Sequence, residues 1–224
     1  MTAFHLVLPA GAHLLLLGAH SDDIEIGAGG TVLELLARRP DLKVTWVVFS
    51  GDPMREAEAR ASASAFCQLA RMTQIETHTF RDGFFPYDGA AVKATFDALG
   101  ARVSPDLILT HRGNDCHQDH RLVSELTWNT FRPATILEYE IPKYDGDLGQ
   151  PNVFVPLASP TMARKIELLA THFPSQHTKS WYSADTFRGL ARIRGVESGL
   201  ADFAEGFYAR KIVAAIAEMS TGVV

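Results

Sequence analysis

The sequence predicts an α/β fold: a Rossmann-like, doubly wound and mostly parallel sheet with helices on both faces and an irregular C-terminal elaboration. The first evidence is the unbroken apolar run at residues 14–17, which is typical of a strand buried on both faces. The second is the alternation of strand and helix patterns, which favours right-handed crossovers in a parallel sheet. The third is the polar cluster His20, Asp22 and Asp23, placed where such sheets bind ligands.

The elements follow in order along the first two thirds of the chain. Apolar and β-branched residues predict strands at 14–18, 44–49, 75–80, 106–110 and 136–141. Apolar residues at helical spacing predict a first helix beyond the glycines at 27–30, and further helices at 55–71, 91–103 and 120–131. The third strand is the least apolar, so we expect it near an edge of the sheet.

The pattern changes beyond residue 142. Residues 142–160 are rich in Gly, Pro and Asp, which indicates a long irregular connection of the kind that often lines binding sites. Helical patterns return at 158–172 and 201–219. The second of these is predicted to pack through Phe203, Phe207, Ile212 and Ile216. We expect a single domain over residues 1–224.

Composition excludes several classes of function. The 224 residues are 46% hydrophobic and 21% charged, as in ordinary globular proteins. A net charge of −5 gives no electrostatic footprint for nucleic acid. Cys67 and Cys116 do not form a disulfide framework, and the chain shows neither a basic leader nor an apolar run of about 18 residues. We therefore expect a soluble, cytoplasmic protein without a membrane span.

Two polar segments follow predicted strand ends. His20, Asp22 and Asp23 come after the first strand, and HRGNDCHQDHR at 111–121 comes after the strand at 106–110. One such histidine is usually a hydrogen-bonded loop residue, and Asp-Asp before a helix is often an N-cap. Together, however, the segments supply three imidazole or carboxylate ligands with an open fourth position, which is typical of a catalytic zinc site.

These segments also resemble a known family. AHSDDIEIGAGGT at 19–31 resembles the A-H-P-D-D-E/I-x-x-G-x-G-G-T signature of the PIG-L/LmbE-like zinc-dependent N-acetylglucosaminyl deacetylase family, and HQDHR at 117–121 resembles its H-P-D-H-R signature. Weaker similarities extend the resemblance over nearly the whole chain, at 55–63, 175–177 and 202–207. Ser21 and Gln118 replace the two signature prolines; neither is a ligand position, so the departure concerns loop rigidity.

The resemblance implies a metal centre and a reaction. Its ligands would be His20, Asp23 and His120 around Zn²⁺, although two imidazoles and a carboxylate also suit Fe²⁺ or Co²⁺. Zinc lowers the pKa of a bound water toward about 7. The implied reaction is hydrolysis of the acetamide of a 2-acetamido sugar, an N-acetylglucosamine derivative, which releases acetate and a free amino sugar.

The resemblance also implies roles for the neighbouring residues. Asp22 would be the general base, with its side chain directed away from that of Asp23 along an extended segment. His117 would stabilise the tetrahedral intermediate or donate a proton. Asp119, by its chemistry, is suited to accept a hydrogen bond from a ligand imidazole or from His117 and so to fix the orientation of that ring. Arg55 and Asn114 are candidate contacts to sugar hydroxyls; an ion pair along a helix and a turn are equally compatible with them.

Three other readings compete with a sugar deacetylase. A nucleotide-binding module is disfavoured because GAGG at 27–30 is not G-x-G-x-x-G. A catalytically silent module that binds metal or sugar is disfavoured by Asp22, a carboxylate that metal binding alone does not require. A zinc hydrolase of another small amide stays open, whereas a phosphoester would favour two metals. The expected partner is a small-molecule amino sugar, and a homo-oligomer is compatible with the apolar C-terminal segment.

Overall fold

A seven-stranded sheet forms the centre of the chain, which the computed structural model describes for residues 5–213. The strands are β1 (His13–Gly18), β2 (Lys43–Val48), β3 (Met72–Thr77), β4 (Leu107–His111), β5 (Thr135–Tyr139), β6 (Val153–Leu157) and β7 (Phe203–Tyr208). The helices are α1 (Asp23–Arg38), α2 (Pro53–Phe66), α3 (Gly89–Arg102), α4 (Gln118–Thr130), α5 (Ser159–His172) and α6 (Ala184–Ser198). Within the described part of the chain, none of these helices has both the length and the apolar character needed to cross a bilayer.

The strand order is β3-β2-β1-β4-β5-β7-β6. The first five strands are parallel, and β7 lies antiparallel between β5 and β6. The predicted fold class is confirmed, as is the position of the third strand at an edge. Because the chain winds outward in opposite directions from β1 and β4, a crevice opens beyond the carboxyl ends of these two neighbours, where α/β sheets bind ligands.

The central strand β1 is buried on both faces. Leu14 and Leu16 pack with residues of α1, α2 and α5, whereas Leu15 and Leu17 pack with residues of α3 and α4. All four leucines are fully buried. The unbroken apolar run therefore reflects helices on both sides of the sheet, as predicted.

Helix α1 begins directly at Asp23, so its glycines lie inside the helix and not ahead of it. A Cβ atom on Gly27 would overlap the ring of Tyr139, and one on Gly30 would lie 2.5 Å from a methyl carbon of Leu157. Both contacts join the helix to strands of the sheet. The glycines therefore allow α1 to pack closely on the sheet, at the cost of the helix propensity that alanine would have provided.

The C-terminal prediction of a helix at 201–219 is wrong where the structure describes it. Phe203 and Phe207 lie in β7, and Ile212 is exposed; Ile216 lies outside the described residues. A spacing of four residues fits one helical turn and also two strand repeats, so this pattern did not distinguish the two. Helix α6, just before β7, was not predicted.

A buried ion pair between α5 and β7, together with hydrogen bonds to α1, connects these three elements. Glu205 accepts hydrogen bonds from the backbone amides of Gly30 (2.8 Å) and Thr31 (2.7 Å). Lys165 of α5 donates to Glu205 Oε1 and to the carbonyl of Ile26, both at 2.6 Å. The C-terminal strand and α5 thus hold the helix whose first residue is Asp23, which positions one side of the crevice.

Candidate active site

A cavity of about 720 Å³ occupies the crevice at the carboxyl ends of β1 and β4. Its floor comes from residues 20–23 and from the start of α4, and its walls come from residues 79–82, 141–145 and 179–181. The connection that follows β5 therefore contributes to the cavity, as its length and composition suggested. The aromatic residues at 84–87 do not line it.

Three side chains converge at the floor. His20 Nδ1 lies 3.2 Å from Asp23 Oδ2 and 3.1 Å from His120 Nε2, and His120 Nε2 lies 3.5 Å from Asp23 Oδ2. In a tetrahedral zinc site with bonds of about 2.0–2.1 Å, ligand atoms are about 3.3 Å apart. The three atoms therefore have the spacing needed to hold one ion.

A second group of ligand-type atoms lies on the other side of the His20 ring. His20 Nε2 is 3.0 Å from Asp82 Oδ1 and 3.4 Å from Asp119 Oδ2, and His117 completes the group. The sequence assigned no role to Asp82, which follows β3. The site thus offers ligand-type atoms near both nitrogens of one imidazole, and Asp82 brings a carboxylate to the cavity.

Asp22 and Asp23 differ in conformation from the expected extended pair. Asp22 is the N-cap of α1, with φ −117° and ψ −3°, and Asp23 is the first helical residue. Their side chains nevertheless separate: Asp23 faces the two histidines, whereas Asp22 Oδ1 accepts a hydrogen bond from Arg55 Nη2 at 2.7 Å. The two carboxylates therefore contact different partners because the chain turns into the helix between them, and not because the backbone is extended.

One carboxylate oxygen of Asp22 makes no hydrogen bond to the described part of the protein. Its Oδ2 is buried and has no hydrogen-bond partner among residues 5–213, while the residue lines the cavity. Burial raises the pKa of this carboxyl, and the guanidinium of Arg55 opposes that shift. A carboxylate with a free oxygen and a raised pKa is suited to accept a proton.

Arg55 lines the cavity, but its guanidinium donates hydrogen bonds to protein groups. Besides Asp22, it donates through Nη1 to Glu58 Oε2 (3.0 Å) and Ser175 Oγ (3.1 Å). Ser175 in turn donates to Glu58 through its hydroxyl (2.6 Å) and its amide (3.0 Å). The network joins segments 55–63 and 175–177, which the sequence analysis named separately. Through Arg55 it also contacts the Asp22 carboxylate.

His117 and Asp119 lie at the start of α4. His117 is the N-cap, and its Nδ1 accepts the backbone N–H of Asp119 at 3.3 Å, so its Nε2 carries the proton of the neutral ring. Asp119 is fully buried, lies beside His20 and accepts backbone hydrogen bonds from Gly83 (2.6 Å) and Phe85 (3.1 Å). Asp119 therefore contacts the His20 imidazole and also holds, through these backbone hydrogen bonds, the segment that carries Asp82.

Asn114 is not brought to this cavity. It is exposed, and it borders a separate depression of about 590 Å³ together with Arg112 and Arg210. Its carbonyl accepts a hydrogen bond from Arg112 Nη2 at 2.8 Å, which agrees with a turn-forming role. The structure separates it from the other predicted site residues.

Two buried residues near the floor were missed in the sequence. Asp115 places Oδ2 3.1 Å from His120 Nδ1. His111, the last residue of β4, stacks on His120 with ring centroids 3.9 Å apart, and its Nε2 accepts the amide N–H of Ala19 at 2.9 Å. Because that lone pair faces the amide, His111 is a poorer ligand than His120. The position of His111 at the end of β4 could have identified it in the sequence as a site residue, whereas no local pattern distinguished Asp115.

Comparison with known proteins decides the family. The family model described as "PIG-L: GlcNAc-PI de-N-acetylase" matches residues 15–131, more than half of the chain, and this range contains both polar segments. The chain belongs to the PIG-L family. This membership identifies it as an N-deacetylase, a hydrolase that removes acyl groups from amides. No curated protein matches it by sequence.

Solved structures share the PIG-L fold at low identity. A conserved protein of Thermus thermophilus, TT1542, is 20% identical with a TM-score of 0.73, over 92% of this chain and 97% of that one. N,N'-diacetylchitobiose deacetylase from Pyrococcus horikoshii is 21% identical with a TM-score of 0.65, over 88% and 82%. A 4-carboxy-2-hydroxymuconate hydratase from Pseudomonas putida is 16% identical with a TM-score of 0.67, over 92% and 100%. At such identities the likeness shows the fold alone.

The electrostatics of this PIG-L site favour a neutral His120 beside an ionised Asp23 in the metal-free chain. At His20, burial would lower the pKa, but the carboxylates of Asp23, Asp119 and Asp82 outweigh it and raise the pKa well above its ordinary value. Burial lowers the pKa of His120 to about 3, helped by the neighbouring His111 and opposed by Asp23. Burial would raise the pKa of Asp23, but the surrounding histidines hold it well below its ordinary value. A neutral imidazole and an ionised carboxylate are the forms that bind a metal.

Glu25 lies one helical turn from Asp22 and carries a buried carboxyl. It is fully buried, and within residues 5–213 neither side-chain oxygen has a hydrogen-bond partner. Burial raises its pKa to about 8, and the nearby carboxylates of Asp22 and Asp23 add to the shift. Near neutral pH, folding therefore favours the protonated side chain.

This shift predicts that the metal-free protein becomes less stable as the pH rises. Because the folded state keeps the Glu25 proton up to about pH 8 while the unfolded state loses it near its ordinary 4.5, the free energy of unfolding should fall by a few kcal/mol across that window. Glu25→Gln should remove most of this slope, measured by urea unfolding at pH 5 and pH 8. Glu167→Gln, at an exposed position, should change stability by less than about 0.5 kcal/mol. Equal slopes in wild type and Glu25→Gln would contradict the assignment.

Proposed function

We propose that this PIG-L family member hydrolyses the acetamide of a 2-acetamido sugar, an N-acetylglucosamine derivative, with a zinc ion in the cavity. The observation that carries the proposal is the set of three ligand atoms 3.1–3.5 Å apart beside a carboxylate with a free oxygen. The ligands would be His20, Asp23 and His120. Fe²⁺ or Co²⁺ would suit the same donor set.

The chemistry that the metal supplies, when bound, is polarisation of the amide carbonyl and acidification of a water molecule. The protein would contribute the rest. Asp22 Oδ2 would accept the proton of the attacking water, and Arg55 would keep the Asp22 carboxyl aimed into the cavity through its contact with Oδ1. Proton transfer to the departing amine would then release the amino sugar and acetate.

His117 would stabilise the developing negative charge. Its Nδ1 accepts a backbone N–H, so the Nε2–H donor is turned toward the cavity that the residue lines. Burial and the neighbouring His20 lower the pKa of His117, which favours the neutral ring as a hydrogen-bond donor over a permanent cation. Asp119, beside His20, would keep the ligand ring in position.

The cavity walls support a sugar as the substrate. Phe80, Tyr144 and Trp181 line the cavity, and aromatic rings there can cover the apolar face of a pyranose. The volume of about 720 Å³ lies within the range of small-molecule sites. The similar Pyrococcus horikoshii structure is of a deacetylase named for diacetylchitobiose, which adds support for an acetamido sugar here.

The test is acetate release from free, glycoside-linked, lipid-linked and nucleotide-linked N-acetylglucosamine, with the metal content determined on the same preparation. We expect about one zinc per chain and acetate release from at least one panel member. Removal of the metal with a chelator should abolish the release, and added zinc should restore it. A metal-loaded protein that releases acetate from no sugar but cleaves a non-sugar acetamide would replace the sugar proposal. Binding without turnover of any amide would favour the silent module.

A further inference from the structure

We infer that Lys143 is a positioning residue of the metal site, which acts by holding Asp115 against His120. The inference rests on the proposed metal centre and deepens it. Lys143 lies just beyond β5, outside both polar segments, in the connection that lines the cavity. Its role follows from a chain of side-chain contacts that leads to a ligand.

Asp115 is the centre of these contacts. Its side chain is 1% exposed, and its Oδ2 lies 3.1 Å from His120 Nδ1, on the ring edge opposite the ligand atom Nε2. Its Oδ1 accepts the backbone N–H of His117 at 2.8 Å and lies 3.0 Å from Lys143 Nζ. A carboxylate this close to Nδ1 favours the tautomer with the proton on Nδ1, which leaves the Nε2 lone pair free for the metal.

Lys143 joins this carboxylate to a second one. Its side chain is 9% exposed, and its ammonium lies 2.8 Å from both oxygens of Asp147. Asp147 Oδ2 also accepts the backbone N–H of Cys116 at 2.7 Å. The ammonium therefore lies between two largely buried carboxylates, one on each of two loops, and fastens the cavity loop to the loop that precedes α4.

Removal of the ammonium would leave these two carboxylates without the cation that they share; Asp147 would keep the guanidinium of Arg112, 3.9 Å from its Oδ2, whereas Asp115 would lose its ammonium partner. Uncompensated buried charge is costly, so Asp115 and the loop with Asp147 would move apart. Asp115 would then no longer hold the His120 ring in one orientation. Residues that orient a ligand in this way typically account for about 10- to 100-fold in metal affinity.

The test is the zinc affinity of Lys143→Met, measured without substrate by competition with a chromophoric chelator. We expect binding about tenfold weaker than that of wild type. Lys143→Arg, which keeps the charge, should recover most of the loss. Lys93→Met, at a half-exposed position on α3 that pairs with Asp97, should bind zinc as wild type does. Thermal unfolding of each metal-free variant checks the fold, and Asp147→Asn, expected to shift the affinity in the same direction, replaces Lys143→Met if that variant does not fold.

A double variant tests whether Lys143 acts through Asp115. Asp115→Asn should weaken zinc binding, and adding Lys143→Met to it should cause little further loss. Unchanged zinc affinity in Lys143→Met, or a full additional loss in the double variant, would overturn the inference. Because no substrate is present, a shifted affinity in a protein that cleaves no sugar acetamide would support the inference while contradicting the proposed reaction.

Discussion

Replacing Asp22 by asparagine should lower kcat/KM for the acetamide substrate by about 100- to 10,000-fold while the metal stays bound. The substitution keeps the shape of the side chain and an acceptor for Arg55, but it removes the carboxylate that would take the proton of water. Because burial already disfavours the charged form of Asp22, the variant should be at least as stable as wild type. Steady-state kinetics, metal analysis and thermal unfolding on one preparation measure all three effects.

Asp97→Asn is the matched control for this prediction. It makes the same chemical change at an exposed position on α3, and its kinetics should equal those of wild type. If Asp22→Asn kept activity within about threefold of wild type, Asp22 would not be the base. Asp82, the carboxylate 3.0 Å from His20 Nε2, would then be the next residue to replace.

Replacing His120 by alanine should have an equally large effect through the metal. The residue is 2% exposed, and it is the proposed ligand that α4 brings to the residues from the end of β1. Its loss should weaken zinc binding by more than the roughly 100-fold typical of residues that merely orient a ligand. Activity should fall to the background of the assay, because the ion that would polarise the amide carbonyl and acidify the water would be missing.

The stability of the His120→Ala variant should also change. Asp23 and Asp115 would lose the imidazole between them and become two buried carboxylates without that partner. His172→Ala, at the partly exposed last residue of α5, is the control and should keep its metal and its activity. A His120→Ala protein that bound one zinc as tightly as wild type would show that the ion lies elsewhere. The group formed by His20, Asp82, His117 and Asp119 would then be the place to look.

Local sequence patterns determined the fold class and the residues at the floor of the cavity. A fully buried parallel strand must be apolar along its whole length, so β1 and β4 are visible as unbroken runs and the polar residues after them are necessarily at the sheet edge. His20, Asp23 and His120 could be predicted to meet because the carboxyl ends of parallel neighbours share that edge. The match to the deacetylase family spans residues 15–131, a range that includes both of these segments.

Other features depended on contacts between distant parts of the chain. Nothing near Asp115 shows that Lys143 will reach it, and nothing near Arg55 shows that Ser175 will. Each pair is brought together by loops and helices whose positions depend on the order of the strands. Asn114 shows the converse, since its place within the polar segment at 111–121 did not bring it to the cavity.

Whether a feature could be predicted from the sequence depended on whether the interactions that produce it are local or join distant parts of the chain. Burial and periodicity act within one element, so the sequence by itself determined the five parallel strands, most helices and the chemistry at the strand ends. A four-residue spacing such as Phe203 to Phe207 satisfies a helix and a strand alike, and only pairing with β5 and β6 decided for β7. Tertiary structure alone likewise decided which buried charges compensate one another, because an ion pair requires proximity in space and leaves no local pattern in the chain.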